Sequence, residues 1–370
     1  MPLVAALILV GCASTPPAEQ TLLEPIDFKT IPGAPAVQDS RAAFRSVFCS
    51  TLRADLGMDP AGLERDGWLW RLHDEPAADP DFVAKPSAAG QIEVVLITGA
   101  FSECVGEQSR PLAAGADRLQ ASGALVRTIT VGGRSGTAHN ARQIAAALSA
   151  APVDRGRKVI LVGYSKGGLD ILRFLVDFPE QAADVDAVVS IATPVFGTPL
   201  ADLAAPAYRA LLAKLPMEKC PTGDGDVMAS LQPDAAVRWL ASNPLPEDVR
   251  YYSLAAFASR ERVARALVPT WKHLGADGQR NDGQVVAIDA VIPGATLLGF
   301  ANSDHWGIAL TTETVHPTLL SRPDPRPFPL EQLLVAVVTF VADDLARRGA
   351  DPQPPPHANR FGNSRRVFGP

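Results

Sequence analysis

The sequence predicts an α/β fold with a mostly parallel central sheet and helices on both faces. Three observations carry this expectation. Apolar, β-branched runs recur at 92–98, 125–131, 158–164, 186–192, 251–256 and 295–300. Helix-like stretches such as "AHNARQIAAALSA" and "LDILRFLVDFPE" separate several of them, and strands that alternate with helices pair in parallel, each helix returning the chain to the same edge. Runs such as "VILVGY" are apolar without alternation, the pattern of strands covered on both faces.

The N-terminal elements come first. The chain opens on "MPLVAALILVGC", whose apolar stretch is far shorter than the roughly 20 residues a spanning helix needs. It suits the apolar core of a secretory signal over residues 1–11. Its ending, Leu9-Val10-Gly11-Cys12, resembles the lipobox of bacterial lipoproteins, although no Lys or Arg precedes the apolar run. The resemblance implies acylation of Cys12 and, with Ala13 next, outer-membrane sorting with the protein on the periplasmic side. More than one acyl chain anchors stably where a single chain is marginal.

Residues 12–40 carry Pro16, Pro17, Pro25, Pro32 and Pro35 and read as an extended tether. The next segment, 41–90, reads as a helical extension. It begins "RAAFRSVFCSTLRADLG", with Phe44, Val47, Phe48 and Leu52 at helical spacing, and Trp68 and Trp70 are expected to pack it on the core. The α/β domain is expected over 91–345. Within it, 200–250 holds "YRALLAKL" and "VMASLQPDAAVRWL", as a lid, a fixed cap or plain crossover helices. Residues 346–370 read as a disordered basic tail.

Composition narrows the partners. The 370 residues are 47% hydrophobic, enough for a large core, and the net charge of −6 argues against a nucleic-acid partner. With Cys12 acylated, Cys49, Cys104 and Cys220 remain, so at most one intramolecular disulfide forms, and spacing does not choose the pair. No CxxC occurs, and neither metal nor cofactor is expected; the turn at 223–226 offers too few ligands for calcium.

The chemistry starts at "GYSKGG". A serine hydroxyl needs a neighbouring base to become a nucleophile. On a sharp strand-to-helix turn its backbone is strained, so Gly163 and Gly167 on either side of Ser165 have to be small, and Gly168 lets the helix pack close. The base comes from six histidines. His305 is chosen because it follows the strand-like "ATLLGF" in the loop "ANSDHW", at the carboxyl edge where open α/β sheets gather catalytic groups; His273 has no such strand before it. The acid is assigned to Asp282 in "NDGQVV", over its rival Asp277, because Val285 and Val286 anchor that turn. Asp304 is read as a local turn contact. The oxyanion needs two preorganised N–H donors: the backbone of Lys166, and that of Ala100 or Phe101 after the first core strand, with Ser102 able to add a hydroxyl.

The chain order Ser165, Asp282, His305 is that of the α/β-hydrolase fold. "ITGAF", "GGRSGTAHNARQIAAAL", "VILVGYSKGGLD", "VVSIATPVFGTPLADL", "NDGQVV" and "SDHW" together resemble the bacterial lipases and esterases of that superfamily. Two departures stand out. Thr98-Gly99 replaces the usual His-Gly, and Lys166 replaces the usual Gln or Met, which brings a charge to the pocket floor. The resemblance implies a serine carboxylic-ester hydrolase acting through an acyl-enzyme on lipid-like esters. Two other readings remain open: acyl transfer by the same triad, and a non-catalytic envelope binding protein on the same fold.

Overall fold

The computed structural model describes residues 23–58, 67–79, 81–83, 89–105, 110–207, 221–311, 321–324 and 326–350. Seven parallel strands form its sheet: β1 (Gln38–Asp39), β2 (Ile92–Ile97), β3 (Leu125–Ile129), β4 (Lys158–Tyr164), β5 (Ala187–Ile191), β6 (Arg250–Ala256) and β7 (Thr296–Ala301). Their order is β1-β7-β6-β5-β4-β2-β3. The chain steps outward from β2 to β3, then crosses back to β4 and builds away in the other direction. The resulting switch point lies between β2 and β4, where the carboxyl ends of an open sheet leave a crevice.

The main helices are α1 (Arg41–Leu56), α2 (Ala113–Ala121), α3 (Thr137–Ala150), α4 (Lys166–Asp177), α5 (Pro199–Ala207), α6 (Pro233–Ser242), α7 (Val268–Leu274) and α8 (Leu330–Ala350). Side chains alternate along each strand, so each face of the sheet has its own core. Val94, Leu96, Ile160 and Val162 face α1, α2 and α8. Val95, Ile97, Val159 and Leu161 face α3 and α4. Both sets are buried, which is why these strands read as unbroken apolar runs.

The N-terminal helix is part of the first layer. Phe44 and Phe48 of α1 are buried, and the Phe44 ring meets Phe340 of α8 edge-on at 5.9 Å. Trp68 packs edge-on against Phe328 at 5.6 Å. Trp70 stacks on Phe257 at 5.1 Å and donates its indole N–H to that residue's carbonyl.

Of the tether expected over 12–40, residues 23–40 are not extended away from the domain. From Leu23 onward the chain lies on the domain: Leu23 bridges to Leu72, Ile26, Phe28 and Val37 pack on the cluster around Phe300, and β1 pairs with β7. Proline removes backbone donors but leaves apolar surface that can still dock. Residues 12–22, and residues 1–11 where a signal segment is expected, lie outside the described residues. At the other end α8 runs to Ala350, beyond the expected domain limit at Leu345; residues 351–370 are outside the description.

Of the 200–250 segment, "YRALLAKL" is likewise outside it. "VMASLQPDAAVRWL" divides into a single turn at Val227–Ser230 and α6, which Pro233 opens. Leu240 of α6 packs with Leu172, Val195 and Ile292, so α6 is a crossover helix seated on the core.

Candidate active site

Ser165 stands between β4 and α4 at φ 53°, ψ −131°, a strained conformation for a residue with a Cβ. The crowding around it explains each glycine. A Cβ on Gly163 would meet the backbone of Gly168, and one on Gly168 would meet the Thr193 hydroxyl. A Cβ on Gly167 would stand 2.5 Å from the Ile97 carbonyl oxygen of β2. The turn therefore presses directly on the neighbouring strand, with the serine at the switch point.

His305 lies just after β7, and its side chain is buried. Its Nε2 stands 2.8 Å from Ser165 Oγ and its Nδ1 2.7 Å from Asp282 Oδ2. Asp282, fully buried, accepts on its other oxygen from the N–H groups of Gln284 (2.9 Å) and Val285 (2.7 Å). With Asp282 accepting, the imidazole proton sits on Nδ1, and Nε2 is left to accept from the serine hydroxyl. The main chain adds a tie: the His305 N–H donates to the Asp282 carbonyl at 2.8 Å. The structure thus brings the three sequence-selected side chains into one hydrogen-bonded row. The rival Asp277 and His273 are both exposed, away from that row.

Asp304 holds the loop. One carboxylate oxygen accepts from the Gly307 N–H and Arg322, the other from the Ala264 N–H and Arg322. Tyr164, just before the serine, donates its hydroxyl to the His305 carbonyl at 2.6 Å. Burial, followed by the charges of Asp282 and Asp304, pushes the Tyr164 phenol well above its ordinary value.

The oxyanion assignment is corrected in part. The Phe101 N–H donates to the Gly133 carbonyl at 3.0 Å, because Phe101 takes a left-handed turn (φ 60°) against that loop. The Ser102 hydroxyl closes on the Gly99 carbonyl at 3.0 Å. Ala100 and Lys166 remain, and among the described residues no hydrogen bond engages either backbone N–H. Gly99 sets the approach, since a Cβ there would lie 3.0 Å from the Ser165 Cβ.

The charge of Lys166 does not reach a pocket floor. Its side chain is buried and its ammonium donates to Asp170 at 2.6 Å. Asp170, whose carboxyl burial pushes up against the pull of Lys166, also accepts from the Asn140 amide at 2.8 Å. Sequence reasoning missed Asp170, Asn140 and Tyr164. Only the first carried a signal: a Lys and an Asp four apart on a helix share a face.

Beside Ala100 and Phe101 lies an apolar group of Leu169, Ala201, Val227, Met228 and Leu231. The acidic turn at 223–226 is spent on structure, Asp224 accepting from the N–H groups of Gly136 and Asp226. Cys49 is a thiol. Cys12, Cys220 and the side chain of Cys104 lie outside the described residues, as do His316 and His357.

No family model and no curated protein match the chain. Among solved structures, it is similar to a metagenomic carboxyl esterase, MGS0156, with 33% identity and a TM-score of 0.77 over 87% of this chain and 97% of that one. It also aligns with the mature form of the Bacillus licheniformis lipase BlEst2, with 25% identity and a TM-score of 0.47 over 69% of this chain and 96% of that one.

Proposed function

The chain belongs to the carboxyl-esterase family of the α/β-hydrolase fold, a serine ester hydrolase, and from that premise we propose that Ser165, His305 and Asp282 are its catalytic triad. Ser165 Oγ attacks the ester carbonyl as His305 Nε2 takes its proton. The charge reaching His305 is stabilised by Asp282, which also keeps the imidazole in the required tautomer. The tetrahedral oxyanion is held by the N–H groups of Lys166 and Ala100, donors that need no reorganisation as charge develops. Collapse expels the alcohol, which takes the proton from His305. Water then attacks the acyl-enzyme with His305 again as base, the bond from the acyl carbon to Ser165 Oγ breaks, Oγ takes the proton back from His305, and the carboxylic acid leaves. The observation that supports this reading is the continuous row from Ser165 Oγ to His305 at 2.8 Å and on to Asp282 at 2.7 Å.

The substrates are lipid-like esters. Support comes from the apolar side chains of Leu169, Val227, Met228 and Leu231 beside the oxyanion turn. The location is the periplasmic side of the outer membrane, through a lipid on Cys12, a reading that the lipobox-like "LVGC" supports. Hydrolysis of p-nitrophenyl esters of rising chain length, by wild type and Ser165→Ala, tests the activity. Wild type is expected to favour the longer acyl chains, and the variant to lose about 10⁶-fold in kcat. Full turnover by the variant overturns the proposal. Palmitate labelling that disappears in Cys12→Ser tests the anchor; labelling that persists refutes it.

A further inference from the structure

The geometry points to a positioning role for Lys166, Asp170 and Asn140, as a buried strut that fixes the two oxyanion donors relative to each other. The inference rests on the reading of Ser165 as nucleophile and of the Lys166 and Ala100 N–H groups as the oxyanion site. Those donors belong to different parts of the chain, one opening α4 and the other following β2. Nothing covalent holds their spacing.

A run of hydrogen bonds does. The Lys166 ammonium donates to Asp170 Oδ1 at 2.6 Å, and the Asn140 amide donates to Asp170 Oδ2 at 2.8 Å. The same Asn140 nitrogen donates to the Gly132 carbonyl at 3.1 Å. The next carbonyl, that of Gly133, accepts the Phe101 N–H at 3.0 Å. Phe101 is bonded to Ala100, so the run begins at one donor residue and ends beside the other. Its last link is tight, because a Cβ on Gly133 would stand 2.6 Å from the Phe101 nitrogen. The amide orientation is dictated as well. Reversing Asn140 would set its oxygen against both the Asp170 carboxylate and the Gly132 carbonyl.

Stability alone does not account for an ion pair in this position. The side chains of Lys166 and Asp170 are 1% and 0% exposed, and replacing such a pair by apolar residues is often neutral or stabilising. What an apolar pair cannot do is hand the constraint on to Asn140 and the β3–α3 loop. Preorganisation of the donors is the property at stake, since a displacement of about 1 Å can cost 10²-fold in rate.

The test uses Asn140→Leu, which removes the donors at similar size, and the double variant Lys166→Met/Asp170→Leu, which leaves the Lys166 backbone N–H in place. Three quantities are read: labelling of Ser165 by a fluorophosphonate, kcat and KM on p-nitrophenyl butyrate, and inhibition by an alkyl trifluoromethyl ketone. The ketone adds Ser165 Oγ to its carbonyl carbon, sends the hydroxyl proton to His305 and leaves the carbonyl oxygen as an oxyanion. Expected are complete labelling, KM within about twofold, kcat lower by about 10- to 100-fold, and ketone inhibition weakened in parallel. Where Asn140→Leu does not fold, the double variant decides. Unchanged kcat and ketone inhibition would overturn the strut while leaving the triad intact. Absence of labelling in wild type would instead overturn the proposed function, and the strut with it.

Discussion

The Tyr164 hydroxyl donates to the His305 backbone carbonyl at 2.6 Å across 141 positions of sequence. It joins the residue before the proposed nucleophile to the residue proposed as its base. Tyr164→Phe removes this bond and leaves a buried carbonyl without its donor, which costs about 1–3 kcal/mol. Chemical denaturation is expected to register that loss, and kcat is expected to fall while KM holds.

Alkaline pH acts through the same phenol. Burial raises the folded-state values of Tyr164, Tyr251 and Tyr252 above 10.0. Their contribution is fully present below the unfolded value near 10 and is lost as pH climbs from there toward the folded values. Urea midpoints taken from pH 8 to 11 are expected to hold and then decline, with a shallower decline in Tyr164→Phe. A flat profile contradicts the burial effect.

Asp282 and Asp277 separate cleanly. Asp282→Asn alters the hydrogen-bond partner of His305 and is expected to lower kcat by about 10⁴-fold. Asp277 is exposed, and Asp277→Asn is expected to leave kcat unchanged. Steady-state kinetics on one ester decides both.

Arg322→Met leaves the Asp304 carboxylate buried without its bidentate counter-charge. Breaking a buried pair on one side costs about 3–5 kcal/mol. The expected outcome is a lower unfolding free energy, accompanied by reduced kcat because Asp304 holds the loop of His305.

Gly163→Ala drives a Cβ into the Gly168 backbone, and neither segment can yield without moving the elbow. Destabilisation of about 3 kcal/mol or more is expected. Gly90→Ala meets no atom within 4 Å and is expected to stay within about 0.5 kcal/mol of wild type.

The fold was legible because it depends on periodicity. Six strands fall within two residues of their apolar runs at each end, and β4 matches Lys158–Tyr164 in full. The two-residue β1 carries no such run and was unreadable; its place comes from docking on β7. Ser165, His305 and Asp282 could be selected because chain order and turn chemistry constrain them. The second donor proposed for the oxyanion could not, since whether Ala100 or Phe101 has a free N–H to offer depends on a long-range bond to Gly133. Asn140 lay hidden for a related reason: its partners Gly132 and Asp170 flank it from opposite directions in sequence.

Intact-protein mass spectrometry after fluorophosphonate treatment tests the central claim most directly. The expected result is a single adduct, mapped to the peptide bearing Ser165, absent in Ser165→Ala and formed far more slowly in His305→Ala. An adduct on another residue, or equal rates with and without the imidazole, would contradict the account.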